Sequence, residues 1–195
     1  MTAPGRLMDQ HHRPLGVLRL SLTARCNLSC PYCQPDGGED TRLALHQRLQ
    51  LIRACCELGL TTLRLTGGEP LLAPELDELL LAIQQGRNSR HDPLQQLQEV
   101  ALTTNGTLLN GCRAEQLKQA GLDRITISLD GATGASVSRM TGLQGGERHG
   151  EQMLQRVLQG IAAAKAAGFH AESGAIKLNS VIQRGHNDDQ LLPLA

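Results

Sequence analysis

Three cysteines lie close together near the start of the chain: Cys26, Cys30 and Cys33. Thiolates separated by three and by two residues on a flexible turn can converge on an iron–sulfur cluster and ligate three of its four irons. The fourth iron would then lack a protein ligand and would be open to a small molecule, which favours radical chemistry. A structural zinc ion is the alternative. No second Cys/His pair stands at a matching spacing, although His46 could supply a fourth ligand.

The composition excludes several other classes of function. Lys+Arg and Asp+Glu number 19 each, so the formal net charge is zero and no basic field is available for nucleic acid. No stretch approaches the apolar length of a membrane span, and the first residues lack the apolar core of a signal peptide. We therefore expect a cytoplasmic protein that binds neither nucleic acid nor membrane, with cysteines that serve metal binding or catalysis.

The spacing of apolar residues predicts alternating strands and helices. Five short runs rich in Leu, Ile, Val and Thr predict strands at residues 17–22, 61–66, 99–104, 124–129 and 175–182. Helical spacing occurs at residues 43–58, 74–85, 113–120 and 152–167. The alternation predicts an α/β fold with five parallel strands and right-handed crossovers. The strand runs read as apolar throughout, as expected where helices cover one face and side chains fill the other. Residues 142–150, with four glycines, predict a linker.

Polar and glycine-rich residues follow each of the first four predicted strands. They are the cysteine loop, Gly67-Gly68, Asn105-Gly106 and Asp130-Gly131. In an open parallel sheet or a barrel, the carboxyl ends of the strands share one rim, and binding sites gather there. We therefore expect these four loops to form one site.

The chain divides into an expected N-terminal tail at residues 1–14 and a core domain at residues 15–195. The end of the core looks incomplete. Asn187-Asp188-Asp189 predicts the start of a helix just before the sequence stops, and the fifth strand would be an unprotected edge. We therefore expect a core that is truncated at its C-terminus.

Two of the loops resemble those of the radical S-adenosylmethionine superfamily: C-x3-C-x2-C after the first strand and Gly67-Gly68-Glu69-Pro70 after the second. In that superfamily a reduced [4Fe–4S] cluster cleaves S-adenosylmethionine to methionine and a 5′-deoxyadenosyl radical, which abstracts hydrogen from the substrate. The resemblance implies both cofactors, an electron donor as a partner, and a partial (β/α) barrel. This chain would supply five of its six expected strands.

A longer ordered set of motifs, over about residues 15–195, is similar to the GTP 3′,8-cyclase family of molybdenum cofactor biosynthesis. The set comprises residues 18–23, the cysteine loop with Gln34-Pro35-Asp36-Gly37, residues 63–70, 102–106, 127–130, 139–142 and 177–179. The resemblance implies a lyase that abstracts the ribose 3′ hydrogen of GTP and closes a bond to C8 of guanine. A homodimer belongs to the same expectation. The C-terminal half of that family, with a last strand and a second cluster, has no counterpart in the sequence.

Carried over residue by residue, the resemblance implies three groups of site residues and no catalytic residue beyond the cluster and cofactor. These are Cys26, Cys30 and Cys33 for the cluster, Tyr32, Gly68 and Ser128 for S-adenosylmethionine, and Arg19, Arg64, Thr103 and Lys177 for GTP. Glycine at position 68 would let the ligand approach the backbone. Structural roles are the alternatives. A cation inside a strand could pair with Glu69 or Asp130, and hydroxyls at strand ends could bond the backbone.

Two other functions stay open at this point. A peptide-modifying radical S-adenosylmethionine enzyme could share this N-terminal part. Substitution of Arg64 or Lys177 would then not weaken GTP binding. A non-catalytic, cluster-binding fragment would give a cluster spectrum without reductive cleavage of S-adenosylmethionine.

Overall fold

A computed structural model describes residues 8–33, 42–142 and 144–195. Three features named above lie outside the described residues. They are part of the N-terminal tail, the motif Gln34-Pro35-Asp36-Gly37, and Leu143 of the predicted linker. The described part contains one sheet of five parallel strands in the order β1-β2-β3-β4-β5. They are β1 Val17–Ser21, β2 Thr62–Thr66, β3 Glu99–Thr104, β4 Arg124–Ser128 and β5 Ile176–Asn179. The predicted α/β fold with five parallel strands is confirmed.

Helices connect the strands and cover one face of the sheet. They are α1 Leu45–Glu57, α2 Leu76–Arg87, α3 Gly111–Gln119, α4 Gly134–Thr141, α5 Gly146–Ala166 and the short α6 Leu191–Leu194. Short 3-10 helices occur at Pro70–Leu72, Pro93–Gln96 and Asp188–Gln190. The four predicted helices correspond to α1, α2, α3 and α5. None of the helices in the described ranges has both the length and the apolar character that a membrane crossing requires.

The strands alternate between apolar and polar residues, so the prediction of strands that are apolar throughout was wrong. Leu63, Leu65 and Leu102 are fully buried and pack with the helices in the core. Ladder partners in a parallel sheet share a face, and side chains alternate along each strand. The opposite face, here called the polar face, therefore carries Arg19, Ser21, Thr62, Arg64, Thr66, Glu99, Thr103, Arg124, Thr126, Ser128, Lys177 and Asn179.

Residues 142–150 do not form the predicted linker, because α5 begins at Gly146 and α4 ends at Thr141. The two helices are in direct contact at their glycines. A Cβ at Gly150 would lie 1.8 Å from the carbonyl oxygen of Gly134. Glycine, serine and threonine have weak helix propensity, and here helix packing overrides it. This contact also explains why α4 was not predicted from its composition.

The segment after β5 is hydrogen-bonded to the loop after β4. Asn187 is fully buried, and its Nδ2 donates to the carbonyl oxygens of Asp130 at 2.7 Å and Val181 at 2.8 Å. Its Oδ1 accepts a hydrogen bond from the Gln183 amide at 2.7 Å. A helical turn does begin after Asn187, as predicted, but the Asn187 side chain bonds other segments and does not cap that turn.

Candidate radical S-adenosylmethionine site

A cavity of about 250 Å³ opens at the carboxyl ends of β1 to β4. All four loops that the sequence singled out contribute to its lining, as predicted. Seven of the ten predicted site residues line it: Cys26, Cys30, Cys33, Tyr32, Gly68, Thr103 and Ser128. The other three, Arg19, Arg64 and Lys177, are not in the lining and lie on the polar face of the sheet.

The cysteine loop, residues 26–33, presents three free thiols to this cavity. The Cys33 amide donates to the Cys30 carbonyl at 3.0 Å, which closes a tight turn. In the described ranges the thiols do not form a ready-made site for one metal ion. A four-iron cluster is wider than a single ion, so its thiolates need not meet at one point. Three thiols around one cavity, with no fourth cysteine in its lining, fit a cluster with one open iron.

Burial changes the acidity of two of these thiols. It raises the pKa of Cys26, and it raises the pKa of Cys30 to about 11, with the Cys26 charge as the next contribution. Such thiols are protonated at neutral pH in the metal-free chain. Ligation of a metal requires thiolates, so cluster binding releases protons.

Gly68 lies against the start of the cysteine loop. A Cβ at this position would lie 2.4 Å from the carbonyl oxygen of Arg25. The Gly68 amide also donates to the Thr23 carbonyl at 2.7 Å, and the Glu69 amide donates to the Arg25 carbonyl at 2.8 Å. The physical reason for glycine is therefore close contact between two loops of the protein. The expected contact of Gly68 with S-adenosylmethionine stays a prediction.

Glu69 is fully buried and holds the loop after β3. Its carboxylate accepts hydrogen bonds from Thr104 Oγ1 at 2.7 Å, the Asn105 amide at 2.8 Å and the Leu71 amide at 3.0 Å. Burial raises the pKa of Glu69, and these hydrogen bonds oppose that shift. No arginine pairs with it in the described residues, so the structural ion pair considered for Arg19 or Arg64 is not formed there.

Asp130 bonds the cysteine loop and not a cation. The Tyr32 hydroxyl donates to Asp130 Oδ2, and the Val181 amide donates to Asp130 Oδ1 at 2.8 Å. Burial, and then this hydrogen bond, raises the pKa of Tyr32, which keeps its hydroxyl protonated as a donor. Asp130 is therefore also excluded as a structural partner of the two strand arginines within the described ranges.

The polar face carries cations that form no ion pair within the described residues, although Glu99 on the same face lies within electrostatic range of Arg64 and Lys177. Arg19 and Arg64 are ladder partners on β1 and β2. The Arg64 Nε is buried and has no hydrogen-bond partner in the described part of the chain. Arg124 differs, because its Nε and Nη2 donate to the Glu99 carboxylate at 2.9 and 2.7 Å. Lys177 is exposed on the edge strand β5.

One wall of the cavity was missed by sequence reasoning. Val137 and Met140 of α4 and Met153 and Val157 of α5 supply an apolar part of the lining. The helix at residues 152–167 was predicted and corresponds to α5, but α4 was not predicted and residues 142–150 were interpreted as a linker, so the wall that α4 and α5 share was missed. Asn105 and Asp130 were recognised as loop residues, but their contacts with the cysteine loop were not predicted.

Comparison with known proteins identifies the family. The sequence model of the Radical SAM superfamily matches residues 20–195. The chain belongs to this superfamily. Its cofactors are accordingly a [4Fe–4S] cluster and S-adenosylmethionine, and the chemistry of the cavity's three thiols suits them.

Two curated relatives of this Radical SAM chain are named GTP 3′,8-cyclase. That of Synechococcus sp. (strain CC9902) is 59% identical over 196 residues, which cover 100% of this chain and 55% of the relative. That of Xanthomonas axonopodis pv. citri (strain 306) is 44% identical, over 100% of this chain and 54% of the relative. The chain spans about half the length of the curated relatives it matches.

Solved structures agree on the fold. Streptococcus suis SuiB bound to S-adenosylmethionine superposes with a TM-score of 0.65 and 21% identity, over 93% of this chain and 37% of that one. At this identity the likeness concerns the fold alone. It confirms the prediction of a partial radical S-adenosylmethionine barrel, whose sheet does not close within the described residues.

Proposed function

We propose that this chain is the cluster-binding part of a GTP 3′,8-cyclase of molybdenum cofactor biosynthesis. The observation that carries the proposal is the pair of neighbouring arginines, Arg19 and Arg64, on the polar face of the sheet whose strand ends line the cavity; neither forms an ion pair within the described residues. The names of the curated relatives support the same reaction.

The three cysteines would hold the cluster in this proposal. Tyr32, Gly68 and Ser128 line the same cavity and would contact S-adenosylmethionine. When bound, the reduced cluster and S-adenosylmethionine supply a 5′-deoxyadenosyl radical. In the proposed reaction this radical would abstract the ribose 3′ hydrogen of GTP. The apolar wall formed by α4 and α5 would exclude water from this region.

The cations would bind the triphosphate. Like charges directly opposite each other destabilise a sheet, so two neighbouring arginines without an anion carry an energetic cost. A triphosphate would remove that cost, and guanidinium groups bind phosphate oxygens through paired hydrogen bonds. Arg64 lies two residues before Thr66, which lines the cavity. This spacing is about 6.6 Å along the strand. Phosphates at the arginines would therefore leave the nucleoside within reach of the cavity.

Thr103 and Lys177 would extend this site across the sheet. Thr103 lines the cavity and is the ladder partner of Thr126, which is in turn the partner of Lys177. The three residues thus form one row on the polar face. In the proposed complex Lys177 would bind a phosphate, and Thr103 would lie between the phosphates and the reacting ribose.

The test begins with anaerobic reconstitution of the chain with iron and sulfide. We expect a cubane electron paramagnetic resonance signal that shifts on addition of S-adenosylmethionine and disappears in Cys26→Ala. GTP binding is then measured for the reconstituted chain, for Arg64→Met, and for Arg90→Met as an exposed control outside the site. We expect only Arg64→Met to weaken GTP binding.

Two results would contradict the proposal. Retention of zinc without cluster formation would make the cysteine loop structural. A shifted cluster signal together with GTP binding that is indifferent to Arg64→Met would leave a radical enzyme with another substrate, such as a peptide.

Four narrower expectations stay predictions. They are the electron donor, the homodimer, the cytoplasmic location and the division into a tail at residues 1–14 and a core at residues 15–195.

A further inference from the structure

We propose that two residues outside the cysteine loop, Asn105 and Asp130, are positioning residues for the cluster. Asn105 acts through Asn27 and Asp130 acts through Tyr32, so that the loop is held at both ends in the conformation that receives the cluster. This inference rests on the proposed cluster ligation by the cysteine loop and is independent of the identity of the substrate.

The first contact is between two asparagines. Asn105 Nδ2 donates to Asn27 Oδ1 at 2.8 Å, and Asn27 Nδ2 donates to Thr107 Oγ1 at 2.9 Å. Asn105 is itself fixed, because its Oδ1 accepts from the Thr107 amide at 3.0 Å and its own amide donates to buried Glu69 at 2.8 Å. The residue that follows Cys26 is therefore bonded to a rigid loop after β3.

The second contact holds the other end of the cysteine loop. Asp130 is 9% exposed, and one carboxylate oxygen accepts from the Tyr32 hydroxyl. The other oxygen accepts from the Val181 amide at 2.8 Å, and the Asp130 carbonyl accepts from Asn187 at 2.7 Å. Asp130 thus has fixed partners behind it and one oxygen left for Tyr32, the residue that precedes Cys33.

The rest of the loop is held by the packing of Leu28 on the core and of Ser29 against Gly142, and by few hydrogen bonds. Within the described ranges, its backbone–backbone hydrogen bonds are the Cys30–Cys33 turn and a long contact of 3.4 Å from the Ser29 amide to the Thr141 carbonyl, and the Leu28 amide donates to Cys26 Sγ at 3.4 Å. Cys26 and Cys33 are exposed. Ordering a free segment costs conformational entropy for each residue, and partners outside the ligand shell commonly fix the orientation of metal ligands. The two side-chain contacts supply that order before the cluster arrives.

The test uses two double-mutant cycles on the full chain. The first consists of Asn27→Ala, Asn105→Ala and the double variant, and the second of Tyr32→Phe, Asp130→Ala and the double variant. Asn88→Ala, at the exposed end of α2, is the control. Three quantities are measured: hydrogen–deuterium exchange of residues 26–33 in the cluster-free chain, the rate of iron release from the reconstituted chain to a ferrous chelator, and the urea midpoint.

We expect each single substitution in the pairs to raise loop exchange and iron release by about 2- to 10-fold, the range that one hydrogen bond supports. The double variants should match the more strongly affected single variant, because the second substitution finds the contact already lost. Tyr32→Phe keeps the ring and removes the hydroxyl, which also lies beside Cys30, so comparison with Asp130→Ala and the double variant is needed to isolate the contact with Asp130. In Asn27→Ala and Tyr32→Phe the urea midpoint should fall by no more than the loss of one hydrogen bond accounts for.

Other results would overturn the proposal in separable ways. Unchanged loop exchange in both cycles would show that the contacts do not order the loop, whether or not a cluster binds. Additive effects within a cycle, or faster exchange over the whole chain, would show a general structural role. If the wild-type chain takes up no cluster, the ligand assignment fails, and exchange in the cluster-free chain still decides whether Asn105 and Asp130 position the loop.

Discussion

Arg19 and Arg64 lie directly opposite each other on β1 and β2, and neither has a carboxylate partner in the part of the chain that the structure describes. Neighbouring strands are about 4.8 Å apart, so the two cationic side chains leave the sheet side by side. Glu99 lies within electrostatic range of Arg64 and offsets part of the repulsion between the two charges. An anion between the strands would relieve the rest.

Removal of one of these charges should stabilise the ligand-free chain. We expect Arg64→Met to raise the free energy of unfolding by about 0.5 kcal/mol, because it removes the like-charge contact and the unpartnered Nε while it keeps the aliphatic stem. The measurement is urea unfolding without nucleotide. Arg87→Met is the control, since Arg87 bonds Asp123 at 2.9 Å and its loss should not stabilise the chain. A destabilised Arg64→Met chain would show that Arg64 supports the fold.

The ion pair between Glu99 and Arg124 should make stability depend on pH. Hydrogen bonds from Arg124 hold the pKa of Glu99 below its usual value of 4.5. A carboxyl with a lowered pKa in the folded state contributes stability above its unfolded-state pKa and loses it as the pH falls through the folded-state pKa. We expect Glu99→Gln to cost about 2 kcal/mol at pH 7, because it removes charge-assisted hydrogen bonds.

The pH dependence of that difference is the sharper measurement. Below pH 4.5 the wild-type chain should lose stability toward that of Glu99→Gln, so the gap between their free energies of unfolding should shrink. Glu172→Gln, on an exposed turn before β5, is the control and should track the wild type. A gap that stays constant between pH 7 and the acid range would exclude the ion pair as its source.

Substitution of Gly68 and of Gly111 by alanine should have different effects on stability and cluster occupancy, because the two glycines have different neighbours. Gly68→Ala places a Cβ 2.4 Å from the Arg25 carbonyl oxygen, whereas a Cβ at Gly111 meets nothing within 4 Å. We expect Gly68→Ala to cost about 2 kcal/mol and to lower cluster occupancy, because the backbone next to the cysteine loop must shift. Gly111→Ala, in the first turn of α3, should leave both unchanged or slightly raise stability. Thermal unfolding and iron content measure the two effects, and equal behaviour of the variants would refute the steric argument.

Asn187 should be more important for stability than its place near the end of the sequence suggests. Asn187→Ala would leave the Asp130 and Val181 carbonyls and the Gln183 amide without their partner. We expect a loss of about 3 kcal/mol in urea unfolding, since buried polar groups without partners are costly. Asn88→Ala, at the end of α2, removes an exposed asparagine and should have no measurable effect. A similarly small effect of Asn187→Ala would mean that this segment opens readily.

The rim of the site could be predicted from the sequence because parallel strands bring their carboxyl ends together. The cysteines, Gly68 and Ser128 each follow or end a strand, so their meeting in one cavity needed only the strand order. The polar face was also visible, since Arg19 and Arg64 alternate with leucines, but the strands were read as continuous apolar runs. Period-two alternation was the signal that the prediction passed over.

Other features depend on contacts that no local pattern contains. The contact of Gly134 with Gly150 packs α4 against the first turns of α5, where glycine gives weak helix propensity and no helix was predicted. The pairing of Asn27 with Asn105 spans 78 residues. Each partner alone is an ordinary loop residue, and only the folded sheet brings the two amides within bonding distance.

The residues that line the cavity are synthesised at different times, because they lie far apart in the sequence. Tyr32 precedes Asp130 by 98 residues. At a synthesis rate of about 5–20 residues per second, this interval corresponds to about 5 to 20 s. The cysteine loop is thus the first part of the cavity lining to be synthesised, and its contact with Asp130 forms only after β4 is made. Under the proposed ligation, a cluster that arrives before β4 is complete would meet a cysteine loop that still lacks its contact with Asp130.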